Sequence, residues 1–342
     1  MPFREIIGHR RIVALLARSA RRASLPPSLI FAGPSGIGKR LAAVATAQAL
    51  NCLAPIDRSN ADATEPLERD ACGTCAACRR IARGTHPDVL IVEPGDSGSI
   101  KIDQVRDVIE RAGYRPFEGR RRLVIFDDAD ALGVPAQSAL LKILEEPPPS
   151  SVFILVTARP DVLLPTVLSR CPTLRFRPLS AAEIASALKH RGHSETEAWA
   201  IAATAEGSLG QALAASAGAL IEARDVATDV LVHAAATGDP RRRIEGAKRL
   251  LTGTSGGAAD RDRLGDHLRA MASLIRDVEL LSTRADVNTL ANPDVKPVLE
   301  GLAHAFEGER GMRAFSAVDQ ALLALERNSG VKVVADWLVL QL

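Results

Sequence analysis

The sequence predicts an α/β fold: a phosphate-loop domain built on a parallel sheet, with a cysteine-rich insertion, followed by two helical domains. Three observations carry this prediction. A glycine-rich run, Gly33-Pro34-Ser35-Gly36-Ile37-Gly38-Lys39, sits between a short apolar run and an alanine-rich stretch. Three further apolar runs suit strands covered on both faces, with helix-like stretches between them. Beyond Pro178 the pattern is helical almost throughout to Leu342.

Taken in order, residues 10–23 predict a helix with Ile12, Val13, Leu15 and Leu16 on its apolar side, broken by Leu25-Pro26-Pro27. Ser28–Ala32 reads as a buried strand and residues 39–51 as the helix after the glycine turn. Segment 53–71 is polar and aperiodic, which predicts a loop. Val89–Val92, Leu123–Phe126 and Val152–Val156 supply the next strands, with helices near 103–112 and 135–146. A last short strand over Thr173–Phe176 ends the sheet near Pro178. Ser180-Ala181-Ala182-Glu183 has the form of a capping box opening the helical part. Breaks fall at Gly207-Ser208, at Gly238-Asp239-Pro240 and over Thr252–Gly257. The expected domains are 1–178, with the cysteine module over about 52–86, then 179–217 and 220–342.

Hydrophobic residues make up 46% of the 342 residues but aromatics only 3%, so Ala and Leu do most of the packing, which favours helices. A net charge of +2 excludes a global polycation. Any nucleic-acid contact would come from local patches such as Arg18–Arg22 or Arg120–Arg122, although a basic cluster is more often a solvated face. The N-terminal residues carry no apolar signal region and no run of 18 apolar residues occurs, so a soluble, cytoplasmic protein without membrane contact is expected.

The glycine run carries chemistry. Gly33, Gly36 and Gly38 let successive backbone N–H groups wrap phosphate oxygens, and Lys39 reaches the outer phosphates. A hydroxyl should follow the lysine to hold Mg²⁺, but Arg40 stands there and has no acceptor for a cation. Asp127 closes a buried strand and could hold Mg²⁺ through water. Asp128 stands where a longer Glu would orient the attacking water. Hydrolysis is thereby put in doubt.

Four of the five cysteines fall between positions 52 and 78, and in a reducing compartment metal is a better reading than disulfides. Cys72, Cys75 and Cys78 recur every three residues, with Gly73 allowing a knuckle, and Cys52 would be the fourth ligand, with His86 as its substitute. Four thiolates suit structural Zn²⁺ in a closed tetrahedral site. An iron–sulfur cluster and free thiols are the alternatives.

Asp127-Asp128-Ala129-Asp130, Ala139–Pro148, Phe153–Thr157 and Leu168-Ser169-Arg170-Cys171 together resemble bacterial clamp-loader subunits of the AAA+ class, over roughly residues 3–215. The resemblance implies that 179–217 is a lid, that 220–342 is a collar joining five subunits in a ring, and that the cysteine module binds zinc. It implies that Thr157 is the strand sensor and that Gly210 stands where ATPase relatives carry a phosphate-sensing arginine. Arg40, Asp128 and Gly210 then imply a member that binds ATP or ADP weakly or not at all. Arg170 would be an arginine finger acting on the ATP of a neighbouring gamma/tau subunit, in a hetero-pentamer that also contains delta. Through that complex the chain would serve the sliding clamp and primer–template DNA, as part of the replicative DNA polymerase III. The alternative is an active gamma/tau-like ATPase. Cys171 reads as a packed residue rather than a reactive thiol. Phe315, Val318, Ala321, Leu322 and Leu325, with Val334, Trp337, Leu338 and Leu340, form helical stripes that either domain core or ring contacts would explain.

Overall fold

In the computed structural model, which describes residues 1–57, 67–95, 98–214, 217–251, 258–283, 290–326 and 329–342, the apolar runs form one parallel sheet. Two compact units divide the chain, Met1–Pro178 and Leu179–Leu342.

The first unit opens with α1 (Arg10–Arg21), which stops before Ala23, whose φ is +50°, and the prolines that follow. β1 (Ser28–Ala32) leads through the glycine turn into α2 (Lys39–Asn51). Where a loop was expected over 53–71, Ile56–Asp57 (β2) pairs antiparallel with Arg69–Asp70 (β3). The ladder is too short and polar to show any apolar alternation, and residues 58–66 of that segment lie outside those described. Then come α3 (Ala76–Ala82), β4 (Val89–Val92), α4 (Ile102–Gly113), β5 (Arg122–Phe126), α5 (Val134–Glu145), β6 (Ser151–Thr157), α6 (Pro165–Leu168) and β7 (Thr173–Arg175). Pro135 sits in the first turn of α5, where its missing N–H costs no hydrogen bond.

The five-stranded sheet runs β4-β5-β6-β1-β7, with every pairing parallel. Its central strands are buried along their whole length because helices cover both faces. Leu29, Phe31, Ile125 and Ile154 pack with α1 and α2, while Ile30, Phe126, Phe153 and Leu155 pack with α4 and α5. Phe153 is fully buried, and its truncation to Ala would cost about 3–5 kcal/mol.

The second unit is helical. A capping box opens α7 (Ala181–Lys189): the Glu183 amide donates to Ser180 Oγ at 3.2 Å and the Ser180 amide donates back to Glu183 Oε2 at 2.9 Å. α8 (Glu195–Thr204) repeats the device with Ser194 and Glu197. Glu206 and Gly207 both have positive φ at the expected break before α9 (Leu209–Ala214). α10 (Ala217–Ala236) is followed by Asp239, which caps α11 (Pro240–Leu250) by accepting from the Arg241 amide at 2.9 Å. α12 (Ala258–Ser282), α13 (Lys296–Ala303), α14 (Glu309–Glu326) and α15 (Val331–Gln341) complete it. The expected break over Thr252–Gly257 lies outside the described residues.

One apolar cluster holds α10 to α15, with Leu231, Leu268, Met271 and Phe306 in it. The predicted stripes divide: Val318, Ala321, Leu325, Val334 and Leu338 enter the core, whereas Phe315, Trp337 and Leu340 face solvent. Among the described residues no helix is long and apolar enough to cross a membrane.

Candidate functional site

The strand-to-helix turn after β1 has the backbone of a phosphate loop. Gly33 lies at φ +151°, and a Cβ there would come within 2.3 Å of the Phe176 carbonyl oxygen, so only glycine fits. Gly38, at φ +101°, caps α2 in the left-handed region, and Gly36 also has positive φ. Lys39 is buried, and its ammonium donates to the carbonyls of Gly33, at 2.6 Å, and Pro34. Burial pushes its pKa below the ordinary lysine value, against the opposing pull of Asp128, Asp127 and Asp130.

Arg40 does more than fail to supply a hydroxyl. Its guanidinium reaches across to the ends of β4 and β5, donating to Asp127 Oδ2 at 2.8 Å and to Glu93. Strand register explains the meeting: Val92 pairs with Phe126, so the residues that follow each strand lie side by side. Burial disfavours the charged guanidinium, but Asp127 and Glu93 outweigh it and raise the Arg40 pKa. Burial also raises the Asp127 carboxyl, which Arg40 opposes and Asp128 reinforces. A fixed cation thus faces the Asp127 carboxylate at the end of β5.

Asp128 adopts a left-handed backbone, φ +53°, at the turn after β5. Thr157, fully buried at the end of β6, donates from Oγ1 to Asp130 Oδ1 at 2.9 Å and accepts from the Arg159 amide at 3.0 Å. Burial opposes ionisation of Asp130, but the Thr157 hydroxyl and backbone amides prevail and hold its carboxyl below the usual range. The loop, Asp127 and Arg40 therefore converge, while Thr157 is bonded to Asp130. Gly210 lies in α9 of the helical unit.

Arg170 follows α6 on the turn into β7. Its backbone is anchored to β1: Ser28 Oγ donates to the Arg170 carbonyl at 3.2 Å, and the Ile30 amide donates to the Pro172 carbonyl at 2.9 Å. Its guanidinium is partly exposed, donating to the Thr166 carbonyl at 2.9 Å and to Glu145 at the end of α5. Cys171 is buried, and burial raises its thiol pKa, as suits a packing residue.

Cys52, at the end of α2, joins Cys72, Cys75 and Cys78 in one cluster whose sulfurs all lie within 4.8 Å of one another. The Cys52 and Cys75 sulfurs are 4.0 Å apart. That is far beyond the ~2 Å of a disulfide and close to the ~3.8 Å edge of a tetrahedron with ~2.3 Å metal–sulfur bonds. Amides of Cys72, Cys75 and Cys78 donate to the sulfurs of Cys52, Cys72 and Cys75, at 3.3, 3.3 and 3.4 Å. Burial works against the Cys72 thiolate, but the amides of Cys75 and Thr74 pull its pKa down to about 6. The donor set is that of a closed four-thiolate metal centre. His86 is not in it: its Nδ1 accepts from the Asp88 amide at 3.1 Å and its Nε2 lies 3.3 Å from Glu118.

The two basic patches have protein partners. Arg18, Arg21 and Arg22 converge on Glu68, at 2.8, 3.6 and 3.7 Å. Arg122 is buried against Asp88 at 2.9 Å, and Arg121 donates to the Pro149 carbonyl. Residue reasoning missed Glu93, Glu145 and Asp130 as partners. The usable signal for Glu93 was an acid directly after an apolar strand run, as at Asp127.

A parallel sheet in this order, with the phosphate loop after β1 and acids after β5, defines a P-loop protein of the AAA+ class. Within that class the chain belongs to the family described as DNA polymerase III, delta subunit, whose model matches residues 8–180. It is 38% identical over 159 residues to subunit delta' of DNA polymerase III from Pseudomonas aeruginosa, covering 46% of this chain and 45% of that one. The Bacillus subtilis delta' subunit is 36% identical over 169 residues, covering 49% and 47%. The tau subunit of Escherichia coli is 30% identical over 217 residues, covering 62% of this chain and 32% of its own. The matches to the two delta' relatives thus span just under half of their length, 45% and 47%.

Proposed function

We propose that this chain is the delta'-type subunit of a DNA polymerase III clamp loader, largely without ATPase activity of its own, which lends Arg170 to the ATP of a neighbouring gamma/tau subunit. The observation that carries the reading is Arg40 bonded to Asp127 and Glu93 beside an otherwise formed phosphate loop. A guanidinium there repels Mg²⁺ electrostatically and offers it no lone pair. Without that ion, charge developing on a transferring phosphoryl group loses its metal partner at this site. Gly210 supplies no charge from the helical unit either. Thr157, held by Asp130, is then a structural remnant of a sensor.

Arg170 has the opposite circumstances. It stands on a rigid backbone, tied to β1, with a partly exposed guanidinium whose only carboxylate partner among the described residues is the exposed Glu145. In the assembled ring a γ-phosphate from the next subunit would replace Glu145, and the planar fork would stabilise its developing charge. The chain would contact delta and gamma/tau directly, and the sliding clamp and primed DNA through the complex.

The four thiolates would hold a structural Zn²⁺, which leaves no open position for catalysis and braces the insertion against α2. Metal analysis of the purified chain should return one zinc per molecule, and Cys78→Ser should lose it together with several degrees of melting temperature. Iron, or no metal at all, would refute that assignment. For the main reading, the isolated chain should hydrolyse ATP no faster than background, while a loader reconstituted with Arg170→Ala should show reduced ATPase. Vigorous hydrolysis by the isolated chain would favour an active gamma/tau-like ATPase instead.

A further inference from the structure

A cavity of about 420 Å³ opens in the helical unit between α11, α14 and α15, and three arginines stand on its wall. Arg243 comes from α11, and Arg310 and Arg313 from α14. Arg310 is held on several sides by groups that carry no side-chain charge. Its Nε donates to the Leu342 main-chain oxygen at 3.2 Å, its Nη2 donates to the Ala234 carbonyl at 3.0 Å, and its guanidinium lies 4.9 Å from the centre of the Phe306 ring. Arg243 is fixed in the same manner, its Nε donating to the Thr237 carbonyl at 3.0 Å. Among the described residues no acidic side chain lines the cavity, and none of these guanidiniums has a carboxylate side-chain partner. Burial first, then Arg243 and Arg313, push the Arg310 pKa below the ordinary arginine value. Elsewhere in the chain, Arg40, Arg122, Arg170 and Arg224 are each paired with an acid.

Three guanidiniums line the cavity, two more than a carboxylate on Leu342, the last residue, would offset, and that surplus of like charge costs free energy that a bound anion would recover. Forks arriving from two helices suit a phosphate, with oxygens on several sides, better than a carboxylate, which a single fork satisfies. The volume lies within the range of small-ligand sites, so there is room for more than the anion. Trp337, from α15, brings an indole to the wall, and the Gln320 amide can both donate and accept.

We infer that this cavity is a nucleotide-binding subsite in which Arg243, Arg310 and Arg313 take a phosphate and Trp337 stacks on the base. A free nucleotide and a unit of a single strand present the same phosphate-plus-base chemistry. This site is separate from the phosphate loop and does not depend on the role proposed for Arg170.

The test uses the full chain carrying Lys39→Ala, so that the phosphate loop contributes little. ADP and a fluorescein-labelled oligothymidylate are titrated without Mg²⁺ by calorimetry and anisotropy, with a glutamate-rich peptide as a third probe. Binding of either nucleotide probe that weakens as salt rises is the expected result, and the stronger of the two identifies the source. Arg313 is exposed, so Arg313→Gln should fold normally, bind about tenfold more weakly, and lower the salt slope for the strand by about one. Trp337→Leu should weaken binding and leave that slope unchanged. The inference is overturned if neither nucleotide probe binds, if Arg313→Gln and Arg243→Gln bind like the parent, or if only the acidic peptide binds.

Discussion

Arg40 and Arg170 both rest on carboxylates of the same unit, and their surroundings separate what each can do. Arg40 meets Asp127, whose side chain is only 14% exposed at the end of a buried strand, and Glu93 beside it. Arg170 meets Glu145, which is 49% exposed at a helix end. The first arrangement joins the ends of two adjacent strands, so an incoming Mg²⁺ would have to displace a cation tethered by its own backbone. The second is a solvent-screened pair, of the kind worth about 0–1 kcal/mol, which a phosphate can replace at little cost. An arginine with two acids at a strand end is a plug; an arginine with one acid at the rim is a poised group.

Breaking the comparison from the rim should give the largest effect. Arg170→Ala should leave the melting temperature of the isolated chain within about 1–2 °C of the parent, because surface changes of this kind are worth ~0.5 kcal/mol. In the assembled loader it should slow hydrolysis at the neighbouring site by about a thousandfold, the lower end for an arginine finger, as read by single-turnover kinetics. Unchanged hydrolysis would leave Arg170 as ordinary surface.

Arg40→Thr comes next. It frees Asp127 and Glu93 and restores a hydroxyl after Lys39, so Mg²⁺ with ADP should raise the melting temperature of this variant by about 2–4 °C and leave the parent unmoved. Equal shifts in both would mean that Arg40 does not oppose the metal. The smallest effect is expected for Glu145→Gln, which removes the competitor for Arg170. Stability should change by less than about 0.5 kcal/mol, and hydrolysis by the loader should rise by at most about twofold. A clear fall would show that Glu145 holds Arg170 in its working position.

Much of this contrast was legible in the sequence, though unevenly. The sheet strands declared themselves because helices cover both faces, which makes Leu123–Phe126 and Val152–Val156 continuous apolar runs. The loss of a metal-binding hydroxyl at Arg40 was legible from residue chemistry alone. Its two partners were not, since Glu93 and Asp127 are 34 positions apart and meet only through parallel register. The β2–β3 ladder escaped because three of its four residues are charged and each strand has only two. Cys52 lies with Cys72, Cys75 and Cys78 despite its distance from them in sequence, because α2 ends where the knuckle folds back. Trp337 and Phe315 shared a helical stripe with core residues, and spacing alone did not reveal that they face solvent.

The anchoring of the Arg170 segment on β1 gives the phosphate loop a structural use apart from any nucleotide. β1 feeds Gly33, whose close approach to the Phe176 carbonyl fixes where β7 leaves the sheet, and Ser28 and Ile30 of the same strand hold the backbone around Arg170. Drift at the glycines would therefore be felt at Arg170 before it was felt in any nucleotide. The loop thus serves as masonry for its neighbour, a use that needs no nucleotide at all.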